Sequence, residues 1–112
     1  MGERRWTLEA ARALAADLHA RTERAYRECQ ELLAERALLP PESTELRALD
    51  ARVTALMERW SREMEALGVE VKGPWLVDFD TGSGYFCWKW PEKNVEYFHG
   101  YEEGFAGRQR IQ

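Results

Sequence analysis

Four polar residues in the C-terminal third are of types that can do chemistry: Asp78, His99, Glu102 and Arg108. His99 and Glu102 stand at i,i+3, and strand alternation places Asp78 and His99 on one sheet face. One imidazole and two carboxylates can ligate a divalent metal, so His99, Glu102 and Asp78 form one alternative, a metal- or small-ligand-dependent enzyme. The same trio can move a proton, with a carboxylate orienting the imidazole. The plainer reading is that no metal is held and His99 ends a strand as a buried histidine bonded to Asp78 or Glu102. That structural role is the expectation, because so small a ligand set is a weak signal from sequence.

The string Gly104-Phe105-Ala106-Gly107-Arg108 has a similar duality. Backbone N–H groups at Gly104 and Gly107, with the Arg108 fork, can cradle an anion. Alternatively Phe105 plugs the core, the glycines turn the chain tightly, and Arg108 pairs with Asp78 or Glu102. The structural role is again the expectation, with a weak anion site at Arg108 layered on it. Asp80-Thr81-Gly82-Ser83-Gly84 lacks the spacing and the lysine of a phosphate loop and reads as a hairpin turn. No serine or cysteine stands in a recognisable nucleophile motif. Cys87 is expected on the sheet face opposite Asp78 and His99, which argues against a Cys–His metal site, and Cys29 on a helix stripe. His19 lies among charged residues and is expected to be solvated. No cofactor is implied.

Composition narrows the classes further. The 112 residues are 45% hydrophobic and 32% charged, a globular mixture with room for one domain, 1–112. Basic and acidic residues number 11 and 13 in residues 1–67, and 5 and 7 in residues 68–112. Neither part has the basic excess of a nucleic-acid footprint, so no nucleic-acid partner is expected. No apolar signal core follows Arg4-Arg5, and no stretch is long enough to cross a bilayer. Gly2 is not a myristoylation signal with Trp6 where Ser or Thr is wanted. Two well-separated cysteines suit a reduced, cytoplasmic chain.

The elements that must position these residues follow from spacing. Thr7 can cap a helix that runs without Gly or Pro from Leu8 to about Ala37, roughly 45 Å at 1.5 Å per residue. Its stripe is Leu8, Ala11, Ala15, Leu18, Ala25, Cys29 and Leu32. Pro40-Pro41 ends it. Ser43 or Thr44 can cap a second helix to Leu67, with seam residues Leu46, Leu49, Val53, Leu56, Trp60, Met64 and Leu67, and Gly68 as the left-handed stop. Residues 7–67 are therefore expected to form a long antiparallel helical hairpin. Ten of 13 aromatic residues fall between Trp75 and Phe105, and Trp75–Phe79, Tyr85–Trp90 and Val95–His99 read as a three-stranded antiparallel β-meander within 69–112. Val69–Lys72 alternates as a lead-in or edge strand would. Facing Lys89 with Glu96, and Phe79 with Tyr85, sets the register. The fold class is α+β. Helices too long for the sheet to cover predict a self-associating, non-catalytic domain that pairs through them as a homodimer.

The last blocks of the chain also carry a resemblance. Leu76-Val77-Asp78-Phe79, Cys87-Trp88-Lys89, and His99 with Glu102, Gly104-Phe105, Gly107 and Arg108 resemble the uncharacterised prokaryotic family known as domain of unknown function 2203. The Thr7-Leu8-Glu9-Ala10 opening and Leu67–Lys72 extend the likeness over most of the chain. Three places depart from the family pattern. Trp90-Pro91 replaces a less bulky turn, Gly100 follows the histidine where an acid is frequent, and the first hairpin loop is short. The resemblance implies positions for a site and no assigned activity.

Overall fold

The computed structural model describes residues 5–112; the reading of Met1–Arg4 lies outside them. Helix α1 spans Leu8–Ala37 and α2 Glu45–Ala66, and five strands follow: β1 Glu70–Gly73, β2 Leu76–Asp80, β3 Tyr85–Lys89, β4 Tyr97–His99 and β5 Gln109–Arg110. The strands form one antiparallel sheet in sequence order. The class is α+β as expected, with five strands where three were expected.

Local chemistry accounts for the helix limits. Thr7 Oγ1 accepts from Ala10 N at 3.1 Å, closing an N-cap, and Gly68 at φ 98° takes the left-handed conformation after α2. Ser43 Oγ rather than Thr44 accepts from Glu45 N. The buried residues of α1 are Ala11, Ala15, Leu18, Thr22, Ala25, Cys29 and Leu32, and those of α2 are Leu49, Leu56, Trp60 and Met64. Arg21 with Glu63, Glu28 with Arg59, and Arg36 with Asp50 pair across the two helices. Among the described residues no helix is long and apolar enough to cross a membrane.

One face of the sheet packs on the helices through Val77, Phe79 and Trp88, all fully buried, and Trp6 meets Phe79 edge-on at 5.0 Å. The opposite face lies under the C-terminal segment. Most of the helical apolar stripes are covered, so the large exposed apolar side chains there reduce to Leu33 and, just past the α1 end, Leu38.

The register differs by one residue at both hairpins. Asp80 pairs with Tyr85 and Asp78 with Cys87, while Cys87 pairs with Tyr97 and Tyr85 with His99. The first shift has a turn cause: Asp80 Oδ1 accepts from Gly82 N at 2.8 Å, an Asx turn that closes the hairpin after Asp80 instead of before it. The second comes from the expected Lys89–Glu96 pair, which does not set the ladder. Glu96 is held by Arg110 of β5, and Trp90 N donates to Trp75 O instead of pairing with β4. The two shifts cancel between β2 and β4, so Asp78 and His99 still share a face. Only β3 is inverted, which turns Cys87 toward them and Phe86 and Trp88 away. His19 is likewise not simply solvated: its ring lies 4.6 Å from that of Trp90.

Candidate metal and ligand site

Three adjacent strands each place one donor on the sheet face away from the helices: Asp78 from β2, Cys87 from β3 and His99 from β4. All three are buried, at 2%, 0% and 3% exposure, and their ligating atoms lie within 4.8 Å of one another. The cross-strand register makes this inevitable, since Asp78 and Cys87 are direct partners and His99 is diagonal to Cys87 on the next strand.

Hydrogen bonding defines the state of the imidazole. His99 Nδ1 is 2.8 Å from the Gly100 carbonyl, which can only accept, so Nδ1 carries a proton. Nε2 faces Asp78 Oδ2 at 3.0 Å. A neutral ring with its proton on Nδ1 presents a lone pair to a carboxylate oxygen there, so a proton or a cation must sit between them. Asp78 Oδ1 accepts no hydrogen bond from the described residues, although it is fully buried. A buried carboxylate oxygen left in that condition is costly.

The surrounding charges are ordered. Lys72 Nζ lies 3.4 Å from Asp78 Oδ2 and 3.5 Å from Glu70 Oε1, and 3.9 Å over the Tyr85 ring. Burial alone would lower the Lys72 ammonium, but the charges and hydrogen bonds of Asp78 and Tyr85 outweigh it and hold the group above its ordinary value. Burial, then the Asp78 charge, push the Cys87 thiol up to about 12, against the opposing pull of Arg108. Both imidazole nitrogens are engaged with oxygens and the thiol is protonated at neutral pH, so Cys87 and His99 do not form a nucleophile–base pair.

The expected cluster is only partly assembled. Asp78 and His99 come together as the structural reading had it. Glu102 is exposed and outside the cluster; its neighbour Glu103 is the residue that turns back, accepting from Gly100 N at 2.7 Å. Arg108 pairs neither with Asp78 nor with Glu102. It forks onto both oxygens of Glu92, stacks 4.0 Å over the Tyr97 ring and 4.3 Å over Phe105, and comes within 3.8 Å of Cys87 Sγ. Phe105 is 42% exposed and does not plug the core. In the Gly104–Arg108 segment the Gly107 and Arg108 amides donate to Gly104 O and Phe105 O. Those amides and the Glu92-bound fork are therefore already occupied as anion donors.

Cys87, Lys72 and Glu92 are the functional candidates that sequence reasoning missed. The signal for Cys87 was present: an Asp80-Thr81-Gly82 Asx turn fixes Asp80 opposite Tyr85, and alternation then puts Cys87 beside Asp78.

A cavity of about 310 Å³ opens over the cluster, bounded by all three donors together with Lys72, Leu76, Tyr101, Gly104 and Phe105. The Tyr101 hydroxyl donates to Asp80 Oδ1 at 2.7 Å, pinning the covering segment to the end of β2. That bond, with the Gly82 amide, holds the Asp80 carboxyl below its ordinary range. A depressed carboxyl contributes stability above its unfolded value and loses it as pH falls through the folded one. The stability gap between parent and Tyr101→Phe should therefore be present at neutral pH and close as the solution is taken to about pH 2, below the ordinary aspartate range. Urea midpoints at the two pH values read this directly; a gap independent of pH would mean that Tyr101 does not act through the charge of Asp80.

Residues 4–111 match the family model described as an uncharacterised conserved protein, DUF2203. No curated protein and no solved structure matches the chain.

Proposed function

We propose that this chain, which belongs to the DUF2203 family, is a metal-binding domain in which Asp78, Cys87 and His99 hold one divalent ion of the zinc type. The observation that carries the reading is the set of three unlike donors, each buried, within 4.8 Å of one another, with Asp78 Oδ1 unpartnered. A packed sheet face needs none of these groups. One thiolate, one imidazole and one carboxylate are a borderline-soft set that suits zinc.

The supporting contacts have the form that metal ligands require. A ligating histidine commonly donates its other N–H to a backbone carbonyl, which fixes the ring and the tautomer. His99 does so to Gly100, leaving Nε2 for the ion. Arg108, held by Glu92 and stacked on Tyr97, lies against Cys87 Sγ and favours its thiolate. Tetrahedral zinc sets its donors about 3.3–3.7 Å apart, so the cluster must close by only a fraction of its present spread. Three protein ligands would leave a fourth position for water or a ligand, and the cavity borders all three donors. An ion so bound can act as a Lewis acid or lower the pKa of a bound water. Within this proposal the helices form an antiparallel hairpin scaffold, and a reducing cytoplasm keeps Cys87 available as a ligand.

Cobalt(II) titration of the reduced protein tests the reading. A thiolate-to-cobalt charge-transfer band should rise to one equivalent, persist in Cys29→Ser and vanish in Cys87→Ala, with His99→Ala weakening binding by about 100-fold or more. The reading is lost if the parent shows no band, or if Cys87→Ala keeps it.

A further inference from the structure

The cavity over the metal donors has a chemistry of its own. Lys72 is its one lining cation among the described residues, and Leu76, Tyr101 and Phe105 give the rest an apolar wall. A divalent ion bound by the Asp78 carboxylate, the Cys87 thiolate and the neutral His99 ring has its charge cancelled by its own ligands. Asp78 then no longer serves as the counter-charge of Lys72, which lies 3.4 Å from it. Its other partner, Glu70, is 45% exposed, does not border the cavity, and also accepts from the Tyr85 hydroxyl. Arg108 is spent on Glu92 and adds no second cation.

From this we infer that the site takes a small organic monocarboxylate. One carboxylate oxygen meets the open metal position, the other meets Lys72 Nζ, and the hydrocarbon body lies against Leu76 and Phe105. The inference rests on the metal reading above. Charge sets the headgroup: a phosphate dianion would meet a single ammonium and keep one charge unmatched beside apolar walls. Volume sets the body: at about 30 Å³ per water-sized group, 310 Å³ holds about ten non-hydrogen atoms. Benzoate is of that size and character.

Sodium benzoate added to the cobalt-loaded protein, followed through the visible cobalt spectrum at constant ionic strength, tests this. Benzoate should perturb the spectrum at concentrations about tenfold or more below those needed for acetate or inorganic phosphate. Lys72→Met should weaken benzoate by about tenfold while leaving the thiolate–cobalt band in place, and Phe105→Ala should weaken benzoate but not acetate. Phosphate binding more tightly than benzoate, or Lys72→Met leaving benzoate affinity unchanged, would overturn the ligand class with the metal site intact. If the parent gives no thiolate–cobalt band, the metal reading itself fails and this inference fails with it.

Discussion

Trp60→Ala should lower the unfolding free energy by about 3–5 kcal/mol, much of what a domain of this size possesses. Trp60 is 1% exposed at the junction of both helices and the sheet. Its ring meets Trp75 edge-on at 5.1 Å, and its indole Nε1 donates to Thr22 Oγ1 at 3.0 Å. Alanine would leave a cavity that two packed helices cannot close, and would strand a buried hydroxyl. Trp75 sits at φ 62°, a conformation that a bulky residue adopts only when its surroundings hold it, so losing one of its two aromatic partners, Trp60 and Tyr26, loosens that turn as well. Trp60→Phe retains most of the apolar burial and should cost less, about 1–2 kcal/mol including the lost hydrogen bond. Leu56→Ala, at a site 2% exposed on the same seam, should cost about 2–5 kcal/mol. Equilibrium urea unfolding followed by circular dichroism gives each value. A Trp60→Ala midpoint equal to the parent's would mean the helices do not depend on this contact.

Zinc should stabilise the parent by about 4 kcal/mol when the free ion is held at about 1,000 times its dissociation constant. For a chain of this length that corresponds to a rise in Tm on the order of 15 °C. The gain arises because the three donors are assembled only in the folded sheet: Asp78, Cys87 and His99 come from three separate strands, and unfolding disperses them. Binding also replaces the proton between His99 Nε2 and Asp78 Oδ2, so the buried carboxylate is matched by the ion. His99→Ala and Cys87→Ala should each remove most of the zinc-dependent gain. In the metal-free state Cys87→Ala should change stability far less, because the protonated thiol, beside Asp78 and 3.8 Å from Arg108, is only a weak hydrogen-bonding group. Differential scanning calorimetry with and without zinc separates the two contributions. An equal zinc-induced rise in the parent and in both variants would place the ion elsewhere.

How much of this could be read from the sequence depends on how local each feature is. Both helix ranges followed from the run without Gly or Pro, and the buried stripe of α1 matched the spacing of its small residues, apart from Thr22. Thr22 sits on that stripe but is polar, and its burial makes sense only once Trp60 of the other helix donates to it. The three expected strands came within a residue or two for the same local reason, whereas the two-residue β5 carries no such pattern. Register did not, because Asp80 turns the first hairpin one residue later and, in the second, Glu96 belongs to Arg110 of β5 and not to Lys89.

What the sequence determined by itself is the class of fold and the two helices with their caps and stripes. These rest on periodicities of a few residues, which side-chain geometry imposes wherever the chain folds. Tertiary structure alone decided that Asp78, Cys87 and His99 meet on one face, that Glu102 stays in solvent, and that Arg108 is bound to Glu92 instead of Asp78. Each of those outcomes turns on pairing between segments distant in sequence, where a shift of one residue moves a side chain to the other face of a strand.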